Sequence, residues 1–219
     1  MSSSPAPWLL FQLLDGAFPS GGFAHSGGLE AAVHLRGVRD LDAFVDEVLW
    51  HGARTSLPFV RRACESPSAL ASLDAQFDAT CTSHVQNRAS RAQGRALATA
   101  ACHVFERDEV AVVGRHARTG PAHQAPVFGA VFGALAMTPR DAQLAWLHGN
   151  LRGVLSAAVR LGVVGPLEAQ QIQAQRAVTL DAILASCMNL DTTDAAQTAP
   201  LVELFGALHD RLDGRLFQS

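Results

Sequence analysis

The sequence predicts an all-α fold, with a single compact helical domain of roughly eight to ten helices spanning residues 1–219. Apolar residues recur at helical spacing along most of the chain. Segments with the alternation of a strand are almost absent, and the β-branched run Val110–Val113 is too short to build a sheet. Residues that cap helices stand before several of the apolar repeats. We expect residues 1–7 and 211–219 to be flexible tails.

The first long helix is predicted to follow Asp40. Apolar side chains recur after it at offsets 0, 3, 4, 7 and 8, which form one helical stripe: they are Leu41, Phe44, Val45, Val48 and Leu49. Asp40 suits an N-cap because its carboxylate can accept a hydrogen bond from the first turn. Ser66 followed by Pro67 combines an N-cap with a first-turn proline, which predicts the start of another helix.

A helix from about Ser83 to Val104 has two distinctive faces. Its inner face is mostly small, which allows close approach of a neighbouring backbone: the residues are Ala89, Ala92, Ala96 and Ala100. Another face carries Arg88, Arg91 and Arg95 at positions i, i+3 and i+7. Three arginines in a row can bind an acidic partner or a phosphate. They can equally form a solvated face, and the sequence leaves both interpretations open.

Helical patterns continue to the end of the chain. The apolar stretch Ala125–Met137 is too short for a membrane span, which takes about 20 residues, and its Gly129 and Gly133 indicate close packing against another helix. Thr138 and Pro139 open the next helix. Later boundaries and loops follow from proline, glycine and polar clusters: a helix through Ile172, Val178 and Leu184 after Gly165–Pro166, a last helix at about Pro200–Leu212, and loops at Arg115–Ala122 and Asn189–Ala199.

Composition excludes several classes of protein. All 17 cations are arginines, because the sequence contains no lysine, and it contains no tyrosine either. The chain therefore lacks the lysine of a P-loop and any Schiff-base lysine. A net charge of −3 and an isoelectric point near 6.3 argue against binding to nucleic acid. Only 17% of residues are charged, so the surface is either rich in small residues or covered by partners.

The sequence favours a cytoplasmic protein that does not associate with membranes. Met1–Pro7 has no basic residue and so lacks the charged region of a signal peptide. The cysteines are scattered without a C-x-x-C pair and are expected to be free thiols: they are Cys64, Cys81, Cys102 and Cys187. Free thiols fit a reducing compartment.

The most unusual segment is Phe18–Glu30, where four glycines fall within eight residues just before a helical repeat. Glycines allow positive φ and close backbone approach, so the segment is either a tight turn or a binding surface. The residues alone leave these alternatives open. The nine histidines show no typical metal-ligand spacing, and the nearest pair is His116 and His123. No G-x-S-x-G motif is present to indicate a serine hydrolase.

This segment resembles the N-terminal signature of the urease accessory protein F family. The matching residues are Leu13–Asp15, Phe18–Pro19, Gly21–Ser26 and Gly28–Glu30. Three later segments are similar to the family's central apolar helix, its late long helix and its Arg-Leu-Phe-x-Ser ending: His123–Gly129, Leu151–Gly162 with Pro166 and Gln170, and Gly214–Ser219. The resemblance covers nearly the whole chain, with four motifs in the right order.

The resemblance implies an all-helical homodimer with no catalytic residue, metal site or cofactor of its own. Family members bind a second accessory protein, called D or H, and the complex recruits a GTPase, accessory protein G. The assembly acts on the urease apoprotein, where GTP hydrolysis is coupled to nickel insertion. Nickel and GTP are therefore expected to be handled by the partners, which agrees with the absence of a P-loop lysine.

The resemblance also assigns partner-binding residues in this chain. The surface facing the GTPase is assigned to Gly22, His25, Ser26 and Glu30, and docking of the D/H partner to Arg215, Leu216, Phe217 and Ser219. Many bacterial members have tyrosine where this chain has His25, and others often have arginine in place of Gln218. Two alternatives stay open. One is a nickel carrier using His25, His116 and His123, and the other is a small all-α hydrolase using His25 and Ser26.

Overall fold

The computed structural model describes residues 7–36 and 40–219, without the side chains of Pro7 and Arg36. Every regular element in these ranges is helical, which confirms the all-α fold. The α-helices are α1 Pro7–Leu14, α2 Leu29–Arg36, α3 Leu41–Glu65, α4 Leu70–Thr80, α5 His84–Val104, α6 Asp108–Thr119, α7 Gln124–Ala134, α8 Pro139–Arg160, α9 Pro166–Gln175, α10 Ala177–Cys187 and α11 Pro200–Leu208. Short 3-10 turns cover Gly22–Ala24, Pro67–Ala69, Thr192–Asp194 and His209–Arg211.

The apolar helix α7 is the centre of the core, packed between α3 and α5. A Cβ atom on Gly129 would lie 2.2 Å from the Val60 carbonyl oxygen, and one on Gly133 would lie 2.3 Å from that of Cys64. These distances are far below van der Waals contact, so only glycine permits this approach of α7 to α3. The prediction of close helix packing at this glycine pair is confirmed.

Helix α5 makes a second close approach, to the loop just before α7, at a residue that the predicted small face did not include. A Cβ atom on Gly94 would lie 2.0 Å from the carbonyl oxygen of Ala122. Ala89 and Ala100 are buried as predicted. Ala92 is exposed, so its assignment to the inner face was wrong.

The predicted helix starts are mostly confirmed at atomic detail. The Asp40 carboxylate accepts a hydrogen bond from the Ala43 amide at 3.0 Å. Thr138 and Asp141 form a reciprocal capping box at the start of α8. Ser66 makes no side-chain cap, and a 3-10 turn separates it from α4.

Two boundaries differ from the sequence prediction. The helix predicted through Ile172 and Leu184 is broken at Arg176, which gives one α-helix more than the predicted maximum within the described residues. The Arg176 guanidinium donates to Asp46 at 2.7 Å and to Asp42 at 2.6 Å, so it fastens the α9–α10 junction to α3. The loop predicted at Arg115–Ala122 is wrong for its first five residues, because α6 continues to Thr119.

A proline inside α3 is accommodated by the loop after α10. Pro58 has no amide hydrogen, so the carbonyl group of Arg54 loses its helical partner. That carbonyl accepts a hydrogen bond from the Ala196 amide at 3.4 Å instead. The contact holds the polar 189–199 loop against the middle of α3.

The two expected tails differ in what the structure describes. Residues 1–6 lie outside the described residues, and Pro7 begins α1. Residues 211–219, expected as a flexible tail, lie against the body of the protein, with Phe217 and Ser219 buried. In the described ranges, no helix combines the length and apolar character needed to cross a membrane.

Candidate functional site

The glycine-rich segment forms a tight connection between α1 and α2. Gly21, Gly27 and Gly28 have positive φ angles of 80°, 63° and 89°. Gly28 also lies against α11, where a Cβ atom would be 3.2 Å from the Gly206 amide nitrogen. Any side chain at Gly28 would therefore face both an unfavourable backbone conformation and a close neighbour. The segment is thus shaped to fit against α11 and the chain that follows it.

Glu30 holds the C-terminal segment through its buried carboxylate. Oε1 accepts a hydrogen bond from the Leu216 amide at 2.6 Å, and Oε2 accepts one from the Phe217 amide at 3.2 Å. Oε2 also lies 2.8 Å from Nε2 of the buried His209. Burial alone would raise the pKa of Glu30, but these hydrogen bonds hold that pKa below its ordinary value. The carboxylate is therefore charged and fully engaged.

Ser26 and His25 bind the last residue of the tail. The Ser219 carbonyl oxygen accepts hydrogen bonds from the Ser26 amide at 2.6 Å and from the Ser26 hydroxyl at 3.0 Å. Nδ1 of His25 lies 2.6 Å from the Ser219 hydroxyl oxygen. Burial, and secondarily the nearby His209, lowers the pKa of His25 to about 4. His25 is therefore neutral at pH 7.

Two aromatic rings, one from each segment, contact the same guanidinium group. The Arg160 guanidinium lies 3.9 Å from the ring centroid of Phe23 and 4.1 Å from that of Phe217. The Gln218 amide donates to the Ala24 carbonyl oxygen at 2.8 Å. We call this set of contacts between Phe23–Glu30 and Leu216–Ser219 the tail clasp.

The tail clasp brings together the two groups of residues that the resemblance assigned to separate partners. Of the predicted residues, Ser26, Glu30, Phe217 and Ser219 are buried, and Gly22 and His25 are partly exposed. Leu216 is 61% exposed, and Phe23, in the other segment of the clasp, is 73% exposed. Arg215 is exposed too, and its guanidinium donates to Asp210 at 2.9 Å. Four of the eight predicted partner-binding residues are therefore buried in this structure.

Sequence reasoning missed His209, Arg160 and Phe23 as members of this site. His209 lies in the 3-10 turn after α11, and Arg160 is the last residue of α8. Neither lies near the glycine-rich segment in sequence, so only the tertiary fold brings them there. Phe23 stands inside the signature itself, and its aromatic side chain among glycines was the one available signal.

The hydrolase alternative required His25 and Ser26 to act together, but both side chains are bonded to Ser219 instead. A different chain of hydrogen bonds runs from Asp78 through His123 to Ser90, with distances of 2.8 Å and 3.1 Å. The Ser90 oxygen also accepts the Gln124 amide hydrogen, so this chain ties α4, α5 and the start of α7 together.

The nickel-carrier alternative required three histidines to converge. His116 instead bonds the buried Asp74 at 2.6 Å, His123 bonds Asp78, and His25 bonds Ser219. Among residues 7–36 and 40–219, no group of three or more histidine, cysteine or carboxylate side chains is placed to hold a metal ion. A cleft of about 410 Å³ beside the clasp is lined by polar and apolar groups and by Glu203, whose carboxylate lies 2.6 Å from His51.

The fold and the site define a class: an all-helical protein whose glycine-rich loop is clasped to its own C-terminal segment, leaving aromatic and aliphatic side chains exposed. Comparison with known proteins identifies the particular family. The UreF family model matches residues 35–177. Urease accessory protein F of Arabidopsis thaliana is 40% identical over all of this chain and 95% of its own length.

More distant relatives extend the same match. Urease accessory protein F of Oryza sativa subsp. indica is 36% identical over 96% of this chain and 84% of its own length. Urease accessory protein UreF of Trichodesmium erythraeum is 27% identical over 95% of this chain and 94% of its own. The chain belongs to the urease accessory protein F family, and its role is that of an accessory protein in urease maturation rather than a catalytic enzyme.

Proposed function

We propose that this protein is the adaptor that bridges accessory protein D/H and the GTPase G for GTP-dependent nickel insertion into the urease apoprotein. In this proposal the partners handle nickel and GTP, and the chain contributes only binding surfaces, as a homodimer that binds no nucleic acid. Its place is the cytoplasm, where its four free thiols would stay reduced. Family membership and the exposed side chains of the tail clasp support this proposal.

The observation that carries the proposal is the presentation of Leu216. The neighbouring amides of Leu216 and Phe217 are both fixed by Glu30, so the backbone of the tail is held while the Leu216 side chain points into solvent. An apolar side chain on an ordered backbone loses little conformational entropy on binding, which favours a partner contact. Arg215 precedes it in the chain, and Phe23, whose ring contacts the same Arg160 guanidinium as Phe217, is the other exposed apolar side chain of the proposed docking surface.

Burial separates the remaining residues into those that position the tail and those that can contact a partner. Glu30 and Ser26 are almost fully buried, so we propose that they position the tail rather than touch a partner. Phe217 and Ser219 anchor the tail in the same way. Gly22 and His25 stay candidates for partner contact, because both are partly exposed beside Phe23.

Replacing Leu216 with aspartate tests the docking surface without disturbing the clasp. Because Leu216 contributes only its amide to the clasp, Leu216→Asp should keep the far-UV helical signal while losing co-purification with the D/H partner. The matched control is Leu167→Asp on α9, where the leucine is 82% exposed and remote in sequence. Wild-type co-purification by Leu216→Asp would contradict the assignment of the tail.

The assembly itself is tested by co-expression with accessory proteins D/H and G and the urease apoprotein. We expect native mass measurement to find one complex that contains all of them with two copies of this chain. A complex of D/H, G and apo-urease that forms equally well without this chain would contradict the bridging role.

A further inference from the structure

A basic groove of about 430 Å³ runs along the solvent face of α5, apart from the tail clasp. Arg88, Arg91 and Arg95 line it, together with His84, Asn87 and Thr82. Carboxylate side chains are absent from the lining in the described residues. The three arginines extend over seven residues of helix, which corresponds to about 10 Å. The groove therefore presents hydrogen-bond donors and positive charge along a line rather than at one point.

The guanidinium groups retain unused donors, because each carries five N–H bonds. Arg88 uses only Nη2, which donates to both carboxylate oxygens of Asp210 at 2.9 Å and 3.0 Å. Arg95 uses only Nη2, which donates to the Gly120 carbonyl oxygen at 3.2 Å. The Nη2 atom of Arg91 lies 3.6 Å from the nearest Asp78 oxygen, beyond hydrogen-bond distance.

The carboxylates beside the groove do not balance its positive charge. Asp210 is shared by Arg88 and by Arg215 of the tail, and His84 Nε2 lies 3.5 Å away. Asp78 is shared by Arg91 with His123 and Asn87. Three guanidinium groups thus share two carboxylates, and Arg95 donates to a backbone carbonyl oxygen instead, in a chain whose net charge is −3. The local excess of positive charge exists against an overall acidic background.

We propose that this groove binds an acidic polypeptide segment of a partner protein. Guanidinium groups recognise carboxylates through paired hydrogen bonds. A line of about 10 Å suits several carboxylates along one chain, whereas a single phosphate would require the arginines to converge on one point. Asp210 links the groove to Arg215, so an acidic segment bound here lies next to the proposed docking surface. The inference does not depend on which partner binds there.

Binding of a fluorescein-labelled peptide of alternating glutamate and alanine to the full chain, followed by fluorescence anisotropy, tests this proposal. Arg95→Gln and Arg91→Gln should each weaken binding about two- to fivefold, as expected for exposed ion pairs, and the double variant about tenfold. The matched control is Arg140→Gln, which removes an exposed arginine of α8. Raising the ionic strength from about 50 mM to about 500 mM should weaken binding further, because salt screens exposed charges.

Arg95→Gln keeps the test informative if Arg91→Gln disturbs folding, because Arg95 contacts only one backbone carbonyl. Equal peptide binding by the double variant and by Arg140→Gln would overturn the proposal. Absence of any binding of the peptide by the wild-type chain at low salt would also overturn it. Complete displacement of the peptide by millimolar inorganic phosphate would assign the groove to small anions instead.

Discussion

Glu30 shows how a buried carboxylate becomes a structural anchor. Desolvation of the charge is unfavourable, but two backbone amides and the His209 imidazole donate to its oxygens. Each of these donors would itself be left without a partner if the carboxylate were removed. The motif in the sequence singled out Glu30. The structure shows that its carboxylate holds the backbone of the C-terminal tail.

Glu30→Gln should lower the free energy of unfolding by about 1–3 kcal/mol at pH 7, because the amide nitrogen would face a donor that the carboxylate now accepts from. The folded carboxyl has a pKa below its ordinary value of 4.5. Its stabilising effect is thus present above pH 4.5 and is lost as pH falls through the folded pKa. The difference between wild type and variant, measured by chemical denaturation, should therefore shrink in acid.

Glu106→Gln is the matched control, because Glu106 is exposed in the loop between α5 and α6. That variant should retain wild-type stability at pH 7, because the Glu106 side chain is exposed. If Glu30→Gln and Glu106→Gln were equally stable at pH 7, Glu30 would not anchor the tail.

His25 makes stability depend on pH in a different range. An unfolded histidine binds a proton near pH 6.5, whereas folded His25 binds one near pH 4. Between these values the unfolded chain binds more protons, so stability falls as pH decreases from about 6.5 to about 4. In His25→Asn this loss should be smaller, as measured by denaturation at pH 7 and pH 5.

The exposed His34 of α2 provides the comparison for that experiment. His34→Asn removes an exposed histidine and is measured at the same two pH values. A slope in His25→Asn as steep as that of the wild type would show that His25 is not the titrating group.

At the scale of elements, glycine determines how closely helices pack. Gly129 of α7 touches the backbone of α3, whereas a Cβ atom on Gly153 of α8 would meet nothing within 4 Å. Alanine favours an exposed helix by about 1 kcal/mol over glycine. The same substitution should therefore have opposite effects at these two helical positions.

Gly129→Ala should destabilise the protein by about 1–3 kcal/mol or more, because the new methyl group would force α7 away from α3. Gly153→Ala should raise stability by up to about 1 kcal/mol. Thermal and chemical denaturation of both variants measures the two effects. Stabilisation by Gly129→Ala would mean that a Cβ atom at residue 129 fits beside the Val60 carbonyl oxygen without moving α7 away from α3.

The success of the sequence prediction also varies by element. Helix starts at Asp40 and Thr138 were predictable, because a cap and the amides it satisfies lie within one turn. The break at Arg176 was not, because its guanidinium is oriented by Asp42 and Asp46 from a distant helix. Local chemistry determines where helices begin, and tertiary contacts determine where this one divides.

At the scale of the whole molecule, the sequence predicted both segments of the site but not that they contact each other. The motifs identified Glu30 and the residues from Arg215 onward, since these lie in recognisable segments. Their contact depends on α11 and the 3-10 turn that carries His209, which bring the tail back to α2. No periodicity or spacing in the sequence predicts that the tail contacts α2.

Removing residues 215–219 should preserve the far-UV helical signal and lower the thermal midpoint. Loss of the buried Phe217 ring is expected to cost about 3 kcal/mol, which corresponds to roughly 6–12 °C for a domain of this size. The control is Gln218→Ala, because Gln218 contributes its backbone amide and an exposed side chain. An unchanged midpoint after truncation would show that the tail adds nothing to stability.

The tail clasp also has a consequence for folding kinetics. Its hydrogen bonds join residues between 186 and 194 positions apart, so they close a loop of nearly the entire chain. Contacts of such separation require the intervening helices to be in place and are expected to form after the transition state. Weakening them should accelerate unfolding while leaving the folding rate almost unchanged. The clasp would then govern how long the assembled docking surface persists, not how quickly the chain reaches it.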